Sequence, residues 1–185
     1  MFKKLLLALG ILTSVSMYAV PTLNVYDFEV KKDKEASYKS VTEDYVNKTM
    51  STEQGILGIF AATDERDKTT SYIVEIYNDY LAFSNHTKNQ ASKNFKSVIP
   101  QIAEGNLNST EIDVQIAKDK KIEQNDNTFA VYTVIDVKPE NNKEFTEIIK
   151  NRAETSFNEN GTYLFMWGLI EEILINGAFL KYILI

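Results

Sequence analysis

The sequence predicts an α+β protein that consists of one complete structural unit followed by an incomplete second copy of it. Short apolar or alternating runs predict strands, and two longer segments carry the three- and four-residue apolar spacing of helices. The order of these elements restarts after residue 127, which indicates an internal repeat. The apolar content of 44% is sufficient for a buried core, and no tract has low complexity.

The first unit is predicted at residues 22–117. Its expected elements, in chain order, are a strand at Leu23–Val30, a helix at Lys34–Met50, strands at Gly55–Ala62 and Tyr72–Tyr77, a second helix, and a strand at Ile112–Ile116. Asn78 or Asp79 is expected to cap the second helix, and Pro100 to kink or shorten its end. This order, β-α-β-β-α-β, is that of the split ferredoxin-like unit.

The second unit is predicted at residues 128–185, after a charged linker at 118–127. Val137-Lys138 repeats the earlier Val30-Lys31, and Gly161–Trp167 falls where Gly55–Ala61 falls. The same alignment places Ala178-Phe179 opposite Ala82-Phe83 and Tyr182 opposite His86. It predicts a shortened loop between the two middle strands and no fourth strand. The apolar tail from residue 168 is then explained by a disturbed gene end, or by docking on the first unit or on a second chain.

Residues 1–19 have the pattern of a bacterial secretory signal peptide. Two lysines give a positive start, Leu5–Val15 is apolar, and small residues allow cleavage after Ser16 or Ala19. The apolar stretch is shorter than the roughly 18 residues that a membrane span needs. We therefore expect export to the periplasm or the extracellular space, with no stable membrane span after cleavage.

Composition excludes several functional classes. The net charge of −6 opposes binding of nucleic acid, and the absence of Cys excludes disulfides and a thiolate nucleophile. The chain has no Gly-rich phosphate loop and no G-x-S-x-G nucleophile motif. A lone His among scattered carboxylates has none of the spacings of a zinc or iron site, so no metal is expected.

One motif in the first unit resembles a known family. It reads E-I-Y-x-x-x-x-A-F-x-x-H and is followed by an F-K pair; its residues are Glu75, Ile76, Tyr77, Ala82, Phe83, His86, Phe95 and Lys96. This pattern resembles the antibiotic biosynthesis monooxygenase family. Its members adopt the dimeric α+β barrel, in which two ferredoxin-like units pack sheet to sheet, and tandem copies also occur in one chain.

The resemblance implies oxidation of a small aromatic phenol, quinol or anthrone by O₂, without metal, flavin or other cofactor. The expected partners are this aromatic substrate, O₂ and a second copy of the chain. The protein would supply a base and a dry pocket, since the electron-rich anion of the substrate reduces O₂ itself. The other hypothesis is a non-enzymatic exported barrel that binds a small lipophilic ligand or self-associates.

The candidate site residues follow from this resemblance and from strand alternation. His86, the single histidine, is implied as the base because its ordinary pKa lies near neutrality; the alternative is a surface or helix-capping residue. Asn24, Tyr26 and Phe28 share one face of the first strand. If that face lines the barrel, Asn24 is expected to hold an oxyanion and the two rings to sandwich the substrate. If that face is directed toward the helices, the two rings are core residues. Tyr77 is expected to help line the pocket.

Overall fold

The computed structural model describes residues 2–6, 21–119, 129–162, 164–170 and 180–184. Its strands are β1 (Phe2–Leu6), β2 (Thr22–Val30), β3 (Ile56–Asp64), β4 (Thr70–Tyr77), β5 (Ala103–Asp119), β6 (Phe129–Ala130), β7 (Thr133–Val137), β8 (Leu164–Ile170) and β9 (Leu180–Leu184). Its helices are α1 (Glu35–Thr52), α2 (Tyr80–Lys88), α3 (Gln90–Ile102) and α4 (Asn142–Asn158). The predicted α+β class and the element order of the first unit are confirmed.

The strands form one curled sheet with the order β6-β1-β3-β4-β2-β5-β8-β9-β7. The two ends of this sheet, β6 and β7, are separated in the chain by residues 131 and 132 alone. Such a connection spans at most about 10 Å, so the sheet must curl until its ends nearly meet. Both units repeat one arrangement, because β4 lies between β3 and β2, and β9 lies between β8 and β7.

The two faces of the sheet bury different clusters. The interior cluster contains no helical residue and combines both units; its buried members are Leu23, Val25, Leu57, Phe60, Ile76, Ile112, Val114 and Met166. The outer face of the first unit packs against α1 and α3, whose Tyr38, Tyr45 and Phe95 join its cluster. Tyr26 and Phe28 belong to this second cluster. The face of β2 that carries them is therefore directed toward the helices, where both rings are core.

The second helix of the first unit differs from its prediction. Asp79 caps α2, since its side chain accepts a hydrogen bond from the Ala82 N–H at 2.8 Å, as expected. The helix then breaks at Asn89, which is extended and whose side chain caps α3. Pro100 lies in the last turn of α3, and the helix ends two residues later, at Ile102. An Asn that caps a new N-terminus is a stronger boundary than a Pro that removes one hydrogen bond.

The predicted alignment of the second unit is wrong after β8. Residues 180–184 form a strand in the position of β4 rather than a helix. Tyr182 pairs with Ile135 as Ser71 pairs with Phe28, so Tyr182 corresponds to Ser71 and not to His86. The predicted shortened loop between the middle strands falls on residues 171–179, which lie outside the described residues. A short apolar run fits a strand and a helix equally well, and only the pairing decides.

Two further predicted segments, the linker and the signal peptide, lie only partly within the described residues. Lys118 and Asp119, expected to begin the linker, instead extend β5 and pair with Phe165 and Leu164 of β8. The rest of that linker lies outside the described residues. Of the predicted signal peptide, residues 2–6 pair with β3 and β6, whereas residue 1 and residues 7–19 lie outside the described part. Among the helices described here, none is long and apolar enough to cross a membrane.

Candidate active site

A group of buried ionisable side chains lies between the sheet and the helices of the first unit. Strand alternation directs Glu75 and Tyr77 of β4 to the helix face, and both are 0% exposed. His86 approaches them from α2 and is 1% exposed. Gly55 allows this approach: its φ is +85°, and a Cβ there would lie 2.7 Å from the Cβ of Ala82 on α2.

These side chains form one continuous hydrogen-bond chain. The hydroxyls of Tyr45 and Tyr77 donate to the two carboxylate oxygens of Glu75. The Oη of Tyr45 also lies 2.8 Å from Nε2 of His86. Nδ1 of His86 lies 2.9 Å from Oε2 of Glu53, the residue that ends α1. We call the sequence Glu53–His86–Tyr45–Glu75–Tyr77 the buried hydrogen-bond chain.

Burial controls the protonation of this chain. Desolvation, with the charge of Glu75 second, raises the pKa of Tyr45 well above its ordinary value, and the same causes raise the pKa of Tyr77. Desolvation lowers the pKa of His86, although Glu75 opposes this effect. Desolvation also raises the pKa of Glu53 to about 7. Near neutral pH the phenols and the imidazole are therefore neutral, and Glu53 is close to half protonated.

A cavity of about 330 Å³ lies between α1 and α3. Its lining residues are Ser40, Val41, Asp44, Tyr45, Lys48, Ala91, Asn94, Phe95 and Val98. Tyr45 stacks on Phe95 with ring centroids 4.4 Å apart, which gives the cavity an aromatic wall. Lys48 and Asp44 form an ion pair at 2.7 Å on the same cavity. Tyr45 thus belongs both to the cavity wall and to the buried hydrogen-bond chain.

The structure brings together some of the predicted site residues and separates others. His86 and Tyr77 lie in the buried hydrogen-bond chain, and the alternative of a surface His86 is wrong. Asn24 is 0% exposed and accepts a hydrogen bond from Ser109 at 3.0 Å. Tyr26 lies beneath the ammonium group of Lys96, 5.3 Å from the ring centroid, whereas Phe28 packs edge-on against Tyr38.

Sequence reasoning missed Tyr45, Glu53 and the role of Glu75. The acid in the apolar strand YIVEIY was an available signal, because a carboxylate among residues that face a core must find hydrogen-bond donors. Tyr45 gave no signal beyond that of a core aromatic residue. Glu53 resembled an ordinary acid at a solvated helix end. Across the described residues, no three His, Asp or Glu side chains are arranged to hold a metal ion.

Comparisons with known proteins agree with this architecture. Residues 22–98 match the family model for antibiotic biosynthesis monooxygenase. The crystal structure of a provisionally named monooxygenase from Fusobacterium nucleatum is 78% identical, with a TM-score of 0.81, and the match covers 91% of this chain and 76% of that one. A provisionally named monooxygenase from Lactobacillus acidophilus is 17% identical with a TM-score of 0.71, covering 89% and 75%, which supports the fold alone. No curated protein matches the chain significantly.

Fold and site together define an α+β barrel protein with a buried carboxylate–imidazole group beside an aromatic cavity. The family match and the high identity to the Fusobacterium protein make the assignment specific. The chain belongs to the antibiotic biosynthesis monooxygenase family, which confirms the resemblance seen in the sequence.

Proposed function

We propose that this protein is a cofactor-independent monooxygenase that oxidises a small aromatic quinol, phenol or anthrone with O₂. One observation carries the proposal. The single histidine and a buried carboxylate lie 3.8 Å apart, joined by Tyr45, whose ring also forms the wall of a cavity. Membership of a monooxygenase family supports the same reaction class.

The reaction balances without a cofactor when the substrate supplies the electrons. For an anthrone-type methylene, the base removes one C–H proton, and the carbanion adds to O₂ to form a peroxide. Transfer of the second C–H hydrogen to the outer peroxide oxygen breaks the O–O bond and leaves a carbonyl group and hydroxide. The stored proton converts the hydroxide to water, so a CH₂ group and O₂ become a carbonyl and H₂O. The protein must therefore take up one proton and return it.

The geometry supports a relay through Tyr45 rather than direct contact between His86 and the substrate. Both ring nitrogens of His86 already face partners, and the residue is 1% exposed. Tyr45 would accept the substrate proton at Oη as it passes its own hydrogen to Glu75. His86 then acts within the base by donating to the oxygen of Tyr45. Asn24, Tyr26, Phe28 and Tyr77 are buried and do not line this cavity, so the proposal assigns them no contact with the substrate.

Oxygen uptake by the purified protein tests this function. We expect uptake with one or more members of a panel of hydroquinones and anthrones, one O₂ per product and no added cofactor. His86→Ala should lower the rate about 100-fold, in line with loss of general base catalysis. Ile148→Ala, an exposed position on α4, is the control and should leave the rate unchanged. No uptake above background with any substrate would contradict the proposal.

A second candidate is ligand binding without turnover. The full burial of His86, with both nitrogens facing partners, favours this alternative because no base is then exposed to the cavity. Quenching of Tyr and Trp fluorescence by the same aromatic panel measures binding directly. Saturable quenching together with absent oxygen uptake would support this candidate over the enzyme.

We also propose that the chain is exported. The support is the charged start, apolar run and small residues within residues 1–19. Mass spectrometry of the protein recovered from the periplasmic or culture fraction should give a mature chain that begins at Met17 or Val20. Recovery of the full-length chain from the cytoplasm alone would contradict export.

A further inference from the structure

We propose that the buried hydrogen-bond chain is a proton wire that exchanges a proton between Glu75 in the interior and Glu53 at the end of α1. The wire is a property of the folded protein, whereas its use in turnover rests on the proposed function. In turnover Glu75 would take up the substrate proton through Tyr45, and Glu53, already protonated at rest, would be the acid at the other end from which the wire returns a hydrogen to form water.

In the resting state, the number of hydrogens on these side chains fixes which group donates in each hydrogen bond. Tyr45 has a single hydroxyl hydrogen, which it donates to Glu75. Nε2 of His86, 2.8 Å away, must therefore carry a hydrogen and donate to Tyr45 Oη. The other nitrogen of a neutral imidazole can only accept, so Glu53 must be protonated and donate to Nδ1 at 2.9 Å. One negative charge remains, on Glu75.

The same heavy atoms fit another hydrogen arrangement equally well. In it, the Glu53 hydrogen moves to Nδ1, the Nε2 hydrogen moves to Tyr45, and the Tyr45 hydrogen moves to Glu75. Each hydrogen crosses one existing hydrogen bond, and no side chain has to turn. The negative charge passes from Glu75 to Glu53 with no proton gained or lost.

The position of Glu53 makes it the outer end of the wire. The side chain of Glu53 is 6% exposed, against 0% for the side chains of His86 and Glu75, so it is the member nearest to water. It follows the last turn of α1, where unpaired carbonyl groups disfavour a carboxylate. That helix end therefore favours the protonated acid, in agreement with the resting arrangement.

The charged and titratable groups that act on His86 come from every side. Glu53 faces it from the end of α1, Tyr45 from α1 itself, and Glu75 and Tyr77 from β4. Lys96 on α3 opposes protonation of the ring. Since burial lowers the pKa of His86 and raises that of Glu53 to about 7, Glu53 is the group expected to lose its proton near neutral pH.

The single histidine makes the wire directly measurable by NMR of protein with ¹⁵N-labelled histidine. Below about pH 7, we expect a neutral ring with its hydrogen on Nε2; above it, loss of the Glu53 proton should move that hydrogen to Nδ1. Glu53→Gln should abolish this tautomer switch, because a Gln amide donates to Nδ1 at every pH. Glu144→Gln, on an exposed part of α4, should leave the switch intact.

Several results would overturn the wire. These are a wild-type ring that becomes doubly protonated instead of switching tautomer, a ring that never switches, or a switch that survives in Glu53→Gln. The wild-type titration tests the proposal even if the variant does not fold. Oxygen uptake separates the two proposals. A tautomer switch without oxygen uptake would support the wire and contradict the proposed function. Oxygen uptake without a tautomer switch would support the proposed function and contradict the wire.

Discussion

The first and second units share a scaffold but differ in the chemistry that they carry. In each unit a strand ends at a valine that precedes a lysine, at Val30-Lys31 and Val137-Lys138, and a short 3₁₀ turn and a long helix follow. Each helix is followed by a glycine with positive φ, +85° at Gly55 and +92° at Gly161. These positions need left-handed backbone, which glycine adopts without strain. The repeat therefore preserves the turns that place the helix on the sheet.

The functional side chains are not repeated. Counted from the shared Val-Lys pair, the buried Val46 and Thr49 correspond to the buried Ala153 and Ser156. Tyr45, by contrast, corresponds to Arg152, which is exposed. The second unit instead buries an apolar cluster of Val137, Ile149, Ala153, Phe165 and Trp167. Small and apolar residues at helical spacing are enough for the fold, whereas the site needs additional side chains that only the first unit has among the described residues.

The largest change is expected for Trp167→Ala, which should lower the stability of the protein but not its activity. Trp167→Ala removes a side chain that is 4% exposed in the second unit, and should lower the free energy of unfolding by about 3–5 kcal/mol. Activity per folded molecule should stay near the wild-type value, because Trp167 is not part of the buried hydrogen-bond chain. Urea denaturation and oxygen uptake on the same preparation measure both quantities. A selective loss of activity in the folded fraction would place the second unit within the site.

A second comparison uses two tyrosines on one face of α1. Tyr45→Phe removes the hydroxyl that joins Glu75 to His86 and should lower kcat about 10- to 100-fold. Tyr38→Phe is the matched control, since Tyr38 is equally buried but packs against Phe28, away from the buried hydrogen-bond chain. Oxygen uptake at saturating substrate measures both. Equal losses in the two variants would mean that packing, and not the relay, sets the rate.

The smallest expected effect is a pH dependence of stability. Folding raises the pKa of Glu53 from 4.5 to about 7, so its contribution to stability is complete below about pH 4.5 and is lost as pH rises through 7. His86, whose pKa is lowered, contributes in the opposite direction around its ordinary value of 6.5. Glu53→Gln removes only the first contribution.

The free energy of unfolding of wild type, relative to that of Glu53→Gln, should therefore decrease by about 1–2 kcal/mol between pH 5 and 8. Urea unfolding at each pH measures this difference. Glu159→Gln is the matched control at the end of α4, where the side chain is exposed. Its difference from wild type should not change with pH. A parallel change in both variants would show that the effect is not specific to Glu53.

Particular residues show how far the sequence could predict this molecule. The strands and α1 followed from apolar periodicity, and Asp79 was recognisable as a cap because its type and position satisfy free N–H groups. The break at Asn89 and the strand at 180–184 depended on competing local and long-range bonds that periodicity does not contain. Tyr45 and Glu53 are brought to His86 only when α1 and α2 both pack on the sheet, so the site had to await the tertiary structure.

If Glu75 and His86 of the first unit act as one base, a double-mutant cycle should show that their effects on the rate are coupled. Oxygen uptake is compared for wild type, Glu75→Gln, His86→Gln and the double variant, with Glu147→Gln as an exposed control. When two groups act as a unit, removing either one abolishes their joint effect on the rate, and removing the second costs nothing further. The double variant should therefore be no slower than the slower single variant. Losses that multiply, or single variants as active as wild type, would contradict the account.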